Sequence, residues 1–206
     1  MSTQITIIDY GMGNLFSINK KIAHFKINSI ITSDPKVIKN AEKLILPGVG
    51  HFQKAIENIK NLNLYDSINE AVLIKHKPIL GICLGMQLMA KYSEEGNANG
   101  FGWFDAEVIN FRIENKLKYK IPHIGWNQII KTKDSSLMKG IQDSSEFYFV
   151  HSYHIKPNAP SDILNETDYE QRFVSAIEKE NIFGVQYHPE KSHDAGETLI
   201  KNFIDL

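Results

Sequence analysis

The first half of the chain alternates short apolar runs with segments of helical periodicity. Four runs rich in branched apolar residues predict strands, at residues 5–8, 29–32, 44–46 and 79–82. Between them, apolar residues recur at three- and four-residue steps, as in the segment 15–25, which predicts amphipathic helices. This rhythm of strand, helix and strand predicts an α/β fold with three layers, in which helices flank both faces of an open, mostly parallel sheet.

The second half has a different pattern, with longer runs of valine, isoleucine and aromatic residues. These runs predict antiparallel or mixed strands added to the sheet, at residues 147–150, 173–177 and 182–187. Helices are predicted at 84–91 and 195–206, and surface loops at the polar stretches 132–136 and 157–168. No repeat or linker interrupts the pattern, so we expect a single domain over residues 1–206.

Composition and charge exclude several classes of protein. The 206 residues are 42% hydrophobic and 23% charged, which is ordinary for a globular protein. A formal net charge of −1 gives no basic excess for binding nucleic acid. The N-terminus does not resemble a signal peptide, and the longest uncharged apolar segment, 78–90, is shorter than the roughly 20 residues that span a bilayer. We therefore expect no nucleic-acid or membrane partner and a cytoplasmic location.

The only cysteine, Cys83, lies in the sharpest local motif. It can form neither an internal disulfide nor a multi-cysteine zinc site, which fits a reducing compartment. The predicted strand 79–82 runs through Gly81-x-Cys83-x-Gly85 directly into a helix, which is the cysteine counterpart of a nucleophile elbow. The glycines permit a sharp turn, and a thiol at the start of a helix is favoured as thiolate. The alternative is that Cys83 is a small buried apolar residue.

A thiolate nucleophile needs a base, and His188 is the best candidate. It follows the predicted strand 182–187, and Glu190 lies two residues further on, so a carboxylate can orient the imidazole. His151 and His154 could instead share a metal-ligand face. No cysteine or carboxylate lies nearby at ligand spacing, so we predict no metal site.

The predicted topology brings four unusual segments to one edge of the sheet. Reactive groups of open parallel sheets gather beyond the carboxyl ends of the strands. Cys83, His188 and the segments 9–14 and 47–50 each follow a predicted strand. The backbone amides of Val49 and Leu84 are candidates for an oxyanion hole. Together these features favour a cysteine-nucleophile enzyme over a binding module.

At these residues the chain resembles the class I (triad) glutamine amidotransferases. Residues 81–87 are similar to the nucleophile motif of that family, and residues 187–190 to its histidine–glutamate motif. The segments 8–14, 46–50, 122–127, 151–153 and 188–192 narrow the resemblance to the glutaminase subunit of imidazole glycerol phosphate synthase, an enzyme of histidine biosynthesis. The resemblance extends over about residues 5–204.

This resemblance implies hydrolysis of glutamine to glutamate and ammonia by a triad of Cys83, His188 and Glu190, without a cofactor. It also implies that Val49 and Leu84 hold the oxyanion, and that the Val49 peptide must reorient to do so. The residues implied to contact glutamine are Gly48, Gly50, Gln87, Glu95, Ser152 and Tyr153. The neighbouring Glu94 is an alternative to Glu95.

The resemblance further implies a partner, a cyclase subunit with a (β/α)8 barrel that uses the ammonia to make imidazole glycerol phosphate and AICAR. The residues implied to lie at the interface are Asn14, Trp126, Tyr148 and Lys191. Two departures, the segment 102–104 and His193, also suit paralogues that supply ammonia for amidating a surface sugar. A stand-alone cysteine hydrolase and a non-catalytic regulatory subunit are further alternatives.

Overall fold

A computed structural model describes residues 4–206 of the chain, which form a mixed α/β structure. The strands are β1 (Ile5–Ile8), β2 (Ser29–Thr32), β3 (Lys43–Leu46), β4 (Ile79–Ile82), β5 (Ala90–Ser93), β6 (Ala98–Asn99), β7 (Phe104–Asn110), β8 (His123–Gln128), β9 (Ile130–Lys131), β10 (Glu146–His151), β11 (Tyr153–Pro157), β12 (Ile163–Tyr169), β13 (Gln171–Lys179) and β14 (Ile182–Val185). The α-helices are α1 (Leu15–His24), α2 (Pro35–Lys39), α3 (Phe52–Asn61), α4 (Tyr65–Asn69), α5 (Leu84–Gln87) and α6 (His193–Asp205). A π-helical turn, Glu70–Ile74, continues α4.

The parallel part of the sheet carries the strands predicted from the first half of the chain. Its order is β2-β1-β3-β4-β14, and each neighbouring pair is parallel. Strands β1, β3, β4 and β14 are buried along their whole length. That burial on both faces explains why they are nearly continuous apolar runs.

Antiparallel strands extend this sheet from β14. The order continues through β13, β11, β7, β5 and β6, with β12 and β9 branching from β13, while β8 and β10 form a separate two-stranded sheet. The pairs β13–β14, β11–β13 and β7–β11 are antiparallel, whereas β5 and β7 are parallel. The predicted fold class, a mostly parallel sheet with added antiparallel strands between helices, is confirmed.

Two apolar cores lie on opposite faces of the sheet, which gives the three predicted layers. On one face, Ile8 and Leu46 pack with Phe52 of α3. On the other face, Ile7 packs with residues of α1 and α6, including Ile22. The alternation of side chains along β1 therefore sends successive isoleucines to different cores.

The helix predicted at residues 84–91 is wrong in length, because α5 ends after a single turn at Gln87. The backbone beyond it is hydrogen-bonded to a later segment instead of continuing the helix. Phe101 N donates to Leu88 O at 2.8 Å, and Phe104 N donates to Met89 O at 3.2 Å. Tertiary pairing thus overrides the local helical pattern.

The loop predicted at residues 157–168 is also wrong, because its second half forms strand β12. The strand looks polar in sequence, but two of its polar side chains, Asn165 and Thr167, are buried and paired. Thr167 Oγ1 donates to Ser175 Oγ at 2.8 Å, and Ser175 Oγ donates to Asn165 Oδ1 at 2.8 Å. Hydrogen-bonded polar residues can fill a core, and a sequence pattern does not distinguish them from a solvated loop.

Within residues 4–206, every helix is too short or too polar to cross a lipid bilayer. The interpretation of residues 1–206 as one domain stays a prediction.

Candidate functional site

The four segments predicted to meet at one edge of the sheet do so. Strands β1, β3, β4 and β14 are adjacent and parallel, so their carboxyl ends point the same way. Cys83 directly follows β4, and the segments 9–14 and 47–50 follow β1 and β3. His188 lies three residues beyond the end of β14. The site is therefore assembled at the edge where parallel sheets bind ligands.

Cys83 lies on a strained turn between β4 and α5. Its φ of 54° and ψ of −110° are unusual for a residue with a side chain. The flanking glycines are required by close approach: a Cβ on Gly85 would lie 1.8 Å from Leu46 O, and one on Gly81 would lie 2.7 Å from Gly85 O. The turn thus has the geometry that the sequence predicts for a nucleophile elbow.

His188 and Glu190 form a buried pair beside this turn. His188 Nδ1 and Glu190 Oε1 are 2.9 Å apart, and both side chains are 1% exposed. Burial lowers the pKa of the imidazole, but interactions with Cys83 and Glu190 outweigh burial and raise the pKa of His188 to about 10. Such a shift favours the protonated ring. The other ring nitrogen, Nε2, is buried and has no hydrogen-bond partner among residues 4–206.

The backbone of β10 holds His188 in place. His188 N donates to Tyr148 O at 2.9 Å. The buried Ser192 hydroxyl donates to His188 O at 2.6 Å and accepts from Tyr148 N at 3.0 Å. These three bonds connect the imidazole to the same strand that carries Tyr148, a residue predicted to contact the partner.

A cavity of about 180 Å³ opens beside the sulfur. Its volume is below the range of about 300–1,000 Å³ that is typical of sites for larger ligands, and it suits a molecule as small as an amino acid. Its lining includes the two residues predicted for the oxyanion hole and five of the six predicted to contact substrate: Val49, Leu84, Gly50, Gln87, Glu95, Ser152 and Tyr153.

The sixth residue predicted to contact substrate, Gly48, does not line this cavity. A Cβ on Gly48 would lie 2.7 Å from Tyr10 Oη, from Leu84 Cβ and from Gly85 N. Gly48 therefore serves close backbone packing behind the cavity wall. Tyr10 also donates to Pro47 O at 2.6 Å, which fixes the start of this segment.

Glu94 and Glu95, the two alternatives for a contact with substrate, lie in different surroundings. Glu95 lines the cavity, and its Oε2 accepts from Phe52 N at 2.8 Å, at the start of α3. Glu94 is exposed and accepts from Asn110 N at 2.9 Å. Only Glu95 can face a ligand in the cavity.

Sequence reasoning missed Gln186, which is fully buried next to Cys83. Its Nε2 donates to Cys83 Sγ at 3.5 Å, and its Oε1 accepts from Gln87 Nε2 at 3.0 Å. The only signal in the sequence is a glutamine at the end of an otherwise apolar strand, 182–187. Such a residue needs a hydrogen-bond partner when it is buried.

Burial disfavours the charged form of the remaining histidines near the site. Burial lowers the pKa of His123 and of His154 to about 4, and lowers that of His151 well below its usual value. His151 Nδ1 donates to Tyr153 O at 2.7 Å. Among the described residues, no group of three or more His, Cys, Asp or Glu side chains is arranged to hold a metal ion.

Three of the four residues predicted at the interface form one exposed surface. Trp126 and Tyr148 are directly opposite each other on β8 and β10, with ring centroids 6.0 Å apart. Lys191 Nζ lies 5.5 Å from the centre of the Tyr148 ring, and His193 stacks on Trp126 at 4.9 Å. Asn14 lies at the start of α1, which contacts the turn Pro189–Lys191.

Relatives of known sequence cover nearly the whole chain. Residues 6–206 match the family described as "Glutamine amidotransferase class-I". The chain is 48% identical over 200 residues to "Imidazole glycerol phosphate synthase subunit HisH 2" of Methanococcus maripaludis, covering 97% of this chain and 98% of the relative. It is 42% identical over 202 residues to the protein of the same name from Pseudomonas aeruginosa, covering 98% and 99%.

Solved structures share the fold at much lower identity. "Structure of PurLQS from Thermotoga maritima" matches with a TM-score of 0.75 at 15% identity, covering 100% of this chain and 99% of that chain. The glutaminase domain of Trypanosoma brucei CTPS with bound acivicin matches with a TM-score of 0.65 at 17% identity, covering 98% and 92%. With the family match and the close relatives, the conclusion follows that this chain belongs to the class I glutamine amidotransferases.

Proposed function

We propose that this chain is the glutaminase subunit of an imidazole glycerol phosphate synthase. One observation supports the proposed chemistry: the His188 imidazole, paired with the Glu190 carboxylate, is buried beside Cys83, which lines a cavity of about 180 Å³. The relatives at 42–48% identity support the choice of enzyme. The single free thiol also supports a cytoplasmic location, because reducing compartments keep thiols free.

The reaction begins when the Cys83 thiolate attacks the side-chain amide carbon of glutamine. A sulfur–carbon bond forms, and the carbonyl π electrons move onto the oxygen. As the tetrahedral intermediate collapses, the carbon–nitrogen bond breaks and the His188 imidazolium gives its proton to the leaving ammonia. Water then attacks the thioester, the neutral His188 takes a proton from that water, and glutamate and the thiolate are released. Glu190 orients the ring throughout.

The developing oxyanion is held by the backbone amides of Leu84 and Val49. Leu84 begins α5, so its N–H has no partner within the helix. Val49 is 48% exposed and is followed by Gly50, whose φ of 125° is accessible mainly to glycine. This setting allows the Val49 peptide to reorient when substrate binds.

Gln87 and Glu95 bind the substrate away from the reacting carbon. Glu95 contributes a carboxylate to the cavity, which suits the α-amino group of glutamine. The Gln87 Nε2 atom is occupied by Tyr153 O at 2.9 Å and by Gln186 Oε1, which leaves the amide oxygen to accept from the ligand. Ser152 and Tyr153 complete the wall, and no cofactor takes part.

The ammonia passes to a separate cyclase subunit with a (β/α)8 barrel, which makes imidazole glycerol phosphate and AICAR. The surface of Trp126, Tyr148 and Lys191 is the proposed contact with this partner. It supports coupling between the subunits because Tyr148 O accepts the hydrogen bond from His188 N. A partner bound on β10 therefore contacts the strand that positions the catalytic histidine.

The test measures glutamate release by the chain alone and by the complex with the cyclase and its ligand. We expect strong stimulation in the complex, whereas full activity of the isolated chain would favour a stand-alone hydrolase. The variant Cys83→Ala should release no glutamate but should still bind the cyclase and support its ammonia-dependent reaction. Near-wild-type glutamate release by this variant would refute the assigned nucleophile.

A second candidate is a paralogous glutaminase that supplies ammonia for amidating a surface sugar. The two departures noted in the sequence, the segment 102–104 and His193, do not support this candidate equally. Trp103 is buried and donates to Asn69 Oδ1 at 2.8 Å, away from the cavity, whereas His193 stacks on Trp126 and changes the proposed contact surface. Stimulation by the histidine-pathway cyclase would exclude this candidate.

A further inference from the structure

The Cys83 sulfur has one neutral hydrogen-bond donor beside it, the Gln186 side chain. Gln186 Nε2 lies 3.5 Å from Sγ. Among residues 4–206, the only other polar contact of the sulfur within hydrogen-bond geometry is Val150 O at 3.9 Å, which is an acceptor. Gln186 has 0% exposure. Water therefore does not compete for its amide, and the full strength of the bond is available to the sulfur.

The orientation of the Gln186 amide is fixed by its neighbours. Tyr153 O can only accept, so the nitrogen end of Gln87 must face it, at 2.9 Å. The same nitrogen lies 3.0 Å from the Gln186 side chain, which must therefore present its oxygen there. A flipped Gln186 would put two donors together. Its own NH2 group is consequently directed at the sulfur.

The Tyr153 carbonyl, which orients Gln87, is itself held by a second hydrogen bond. Tyr153 O also accepts from His151 Nδ1 at 2.7 Å. Because His151 is neutral and its Nδ1 carries the hydrogen, its Nε2 accepts from His123 Nδ1 at 3.2 Å. Along the path from His123 through Gln87 to the sulfur, each donor is therefore matched with an acceptor. This pairing keeps the Gln186 amide in a single orientation.

We propose that Gln186 is a positioning residue for the nucleophile, which aims an N–H at the sulfur, favours its ionised form and holds it for attack. A donor stabilises a charged acceptor about twice as strongly as a neutral one. The Gln186 bond therefore stabilises the thiolate more than the thiol. This inference rests on the proposed role of Cys83 as the nucleophile.

Other titratable groups also face the sulfur and must be considered with Gln186. The His188 imidazolium, paired with Glu190, is the cation that interacts with it. Tyr10 lies near the sulfur, but burial raises the pKa of its phenol, and its hydroxyl donates to Pro47 O. Glu95 lies in the same cavity and is common to all variants. None of these groups is changed by a substitution at Gln186.

The experiment measures the rate of iodoacetamide alkylation as a function of pH. Because Cys83 is the only cysteine, the modification reports on this thiol alone. Gln186→Met keeps the length of the side chain and removes the donor. We expect the midpoint of the profile to rise by about one unit, so that alkylation below the midpoint slows about tenfold while the alkaline plateau is unchanged. Gln186→Glu directs an anionic oxygen at the sulfur and should raise the midpoint further.

The matched control is Tyr187→Phe. The neighbouring Tyr187 hydroxyl is also buried and accepts from Asn165 Nδ2 at 3.3 Å, and it makes no bond to the sulfur. Its removal should leave the midpoint unchanged. An unchanged midpoint in folded Gln186→Met, or an equal shift in Tyr187→Phe, overturns the proposal.

Glutamate release by the complex supplies a second measurement. In Gln186→Met, kcat should fall by about the same factor as thiolate formation, while KM stays within about twofold. A fall in kcat without a shift in the alkylation midpoint overturns the proposal, because it indicates a structural role only. If instead Cys83→Ala retains glutaminase activity, the proposed function fails, whereas the alkylation result still reports on Gln186 and the sulfur.

Discussion

Replacing Glu190 by glutamine removes the negative charge of the carboxylate and keeps the shape of the side chain. The bond between His188 Nδ1 and Glu190 Oε1, at 2.9 Å, can be kept, because the amide oxygen also accepts. The second oxygen, Oε2, is buried and has no hydrogen-bond partner among residues 4–206. The amide nitrogen that replaces it therefore loses no existing bond. The ring should keep its position and tautomer, and only the negative charge is removed.

The size of the effect follows from the difference between a charged and a neutral hydrogen bond. A bond to a charged group contributes about 1.5–3 kcal/mol, and a neutral bond about 0.5–1.5 kcal/mol. The difference of about 1–1.5 kcal/mol corresponds to about one pKa unit. The pKa of His188, raised to about 10 in part by Glu190, should therefore fall by about one unit or more in Glu190→Gln.

The direction of the pKa change at His188 can be measured from the pH profile of glutamate release by the complex. The wild-type imidazolium donates its proton to ammonia and is lost as pH rises through about 10. In Glu190→Gln this alkaline limb should move about one unit to lower pH, so that kcat above pH 10 falls about tenfold. At neutral pH the ring stays protonated in both enzymes, and kcat there should change little. The control is Glu197→Gln on α6, which removes only a partly exposed ion pair with Lys21. A Glu190→Gln enzyme with wild-type kcat and an unmoved alkaline limb would refute this reasoning.

Two further substitutions test the turn and the cavity. Gly85→Ala would put a Cβ 1.8 Å from Leu46 O. We therefore expect the free energy of unfolding in urea to fall by about 1–3 kcal/mol and glutaminase activity to be lost. Wild-type stability of this variant would contradict the close approach. Glu95→Gln should raise KM for glutamine about tenfold with little change in kcat, because a charged hydrogen bond becomes neutral. The control Glu94→Gln lies outside the cavity and should leave KM unchanged, and equal effects of the two would contradict the assignment.

The predictable part of the site came from residues that serve local geometry. The glycines around Cys83 indicate a turn whose steric reason is visible in the structure, where a Cβ at either position would overlap backbone. The residues after β3 and β14 could be assigned to the same edge of the sheet from the sequence, because parallel strands align their carboxyl ends. The roles assigned to Cys83, His188 and Glu190 stay predictions until they are measured.

The parts that could not be predicted depend on contacts between distant segments. Gln186 is separated from Gln87 by 99 residues, and only the folded sheet brings the two amides together. Strand β12 was predicted as a loop because a buried Asn165 looks like a solvated one until its partners are known. The end of α5 is decided by carbonyls that accept from residues 101–104.

The sequence by itself determined the elements whose pattern is local: the apolar strands of the parallel sheet, the amphipathic helices and the turn that carries the cysteine. It did so because burial on a strand or helix follows a fixed period along the chain. The tertiary structure alone decided which polar groups are buried, how they pair, and hence the direction in which the pKa of each buried histidine moves. Desolvation and hydrogen bonding depend on every neighbour in space, and most neighbours of His188 and Gln186 are remote in sequence.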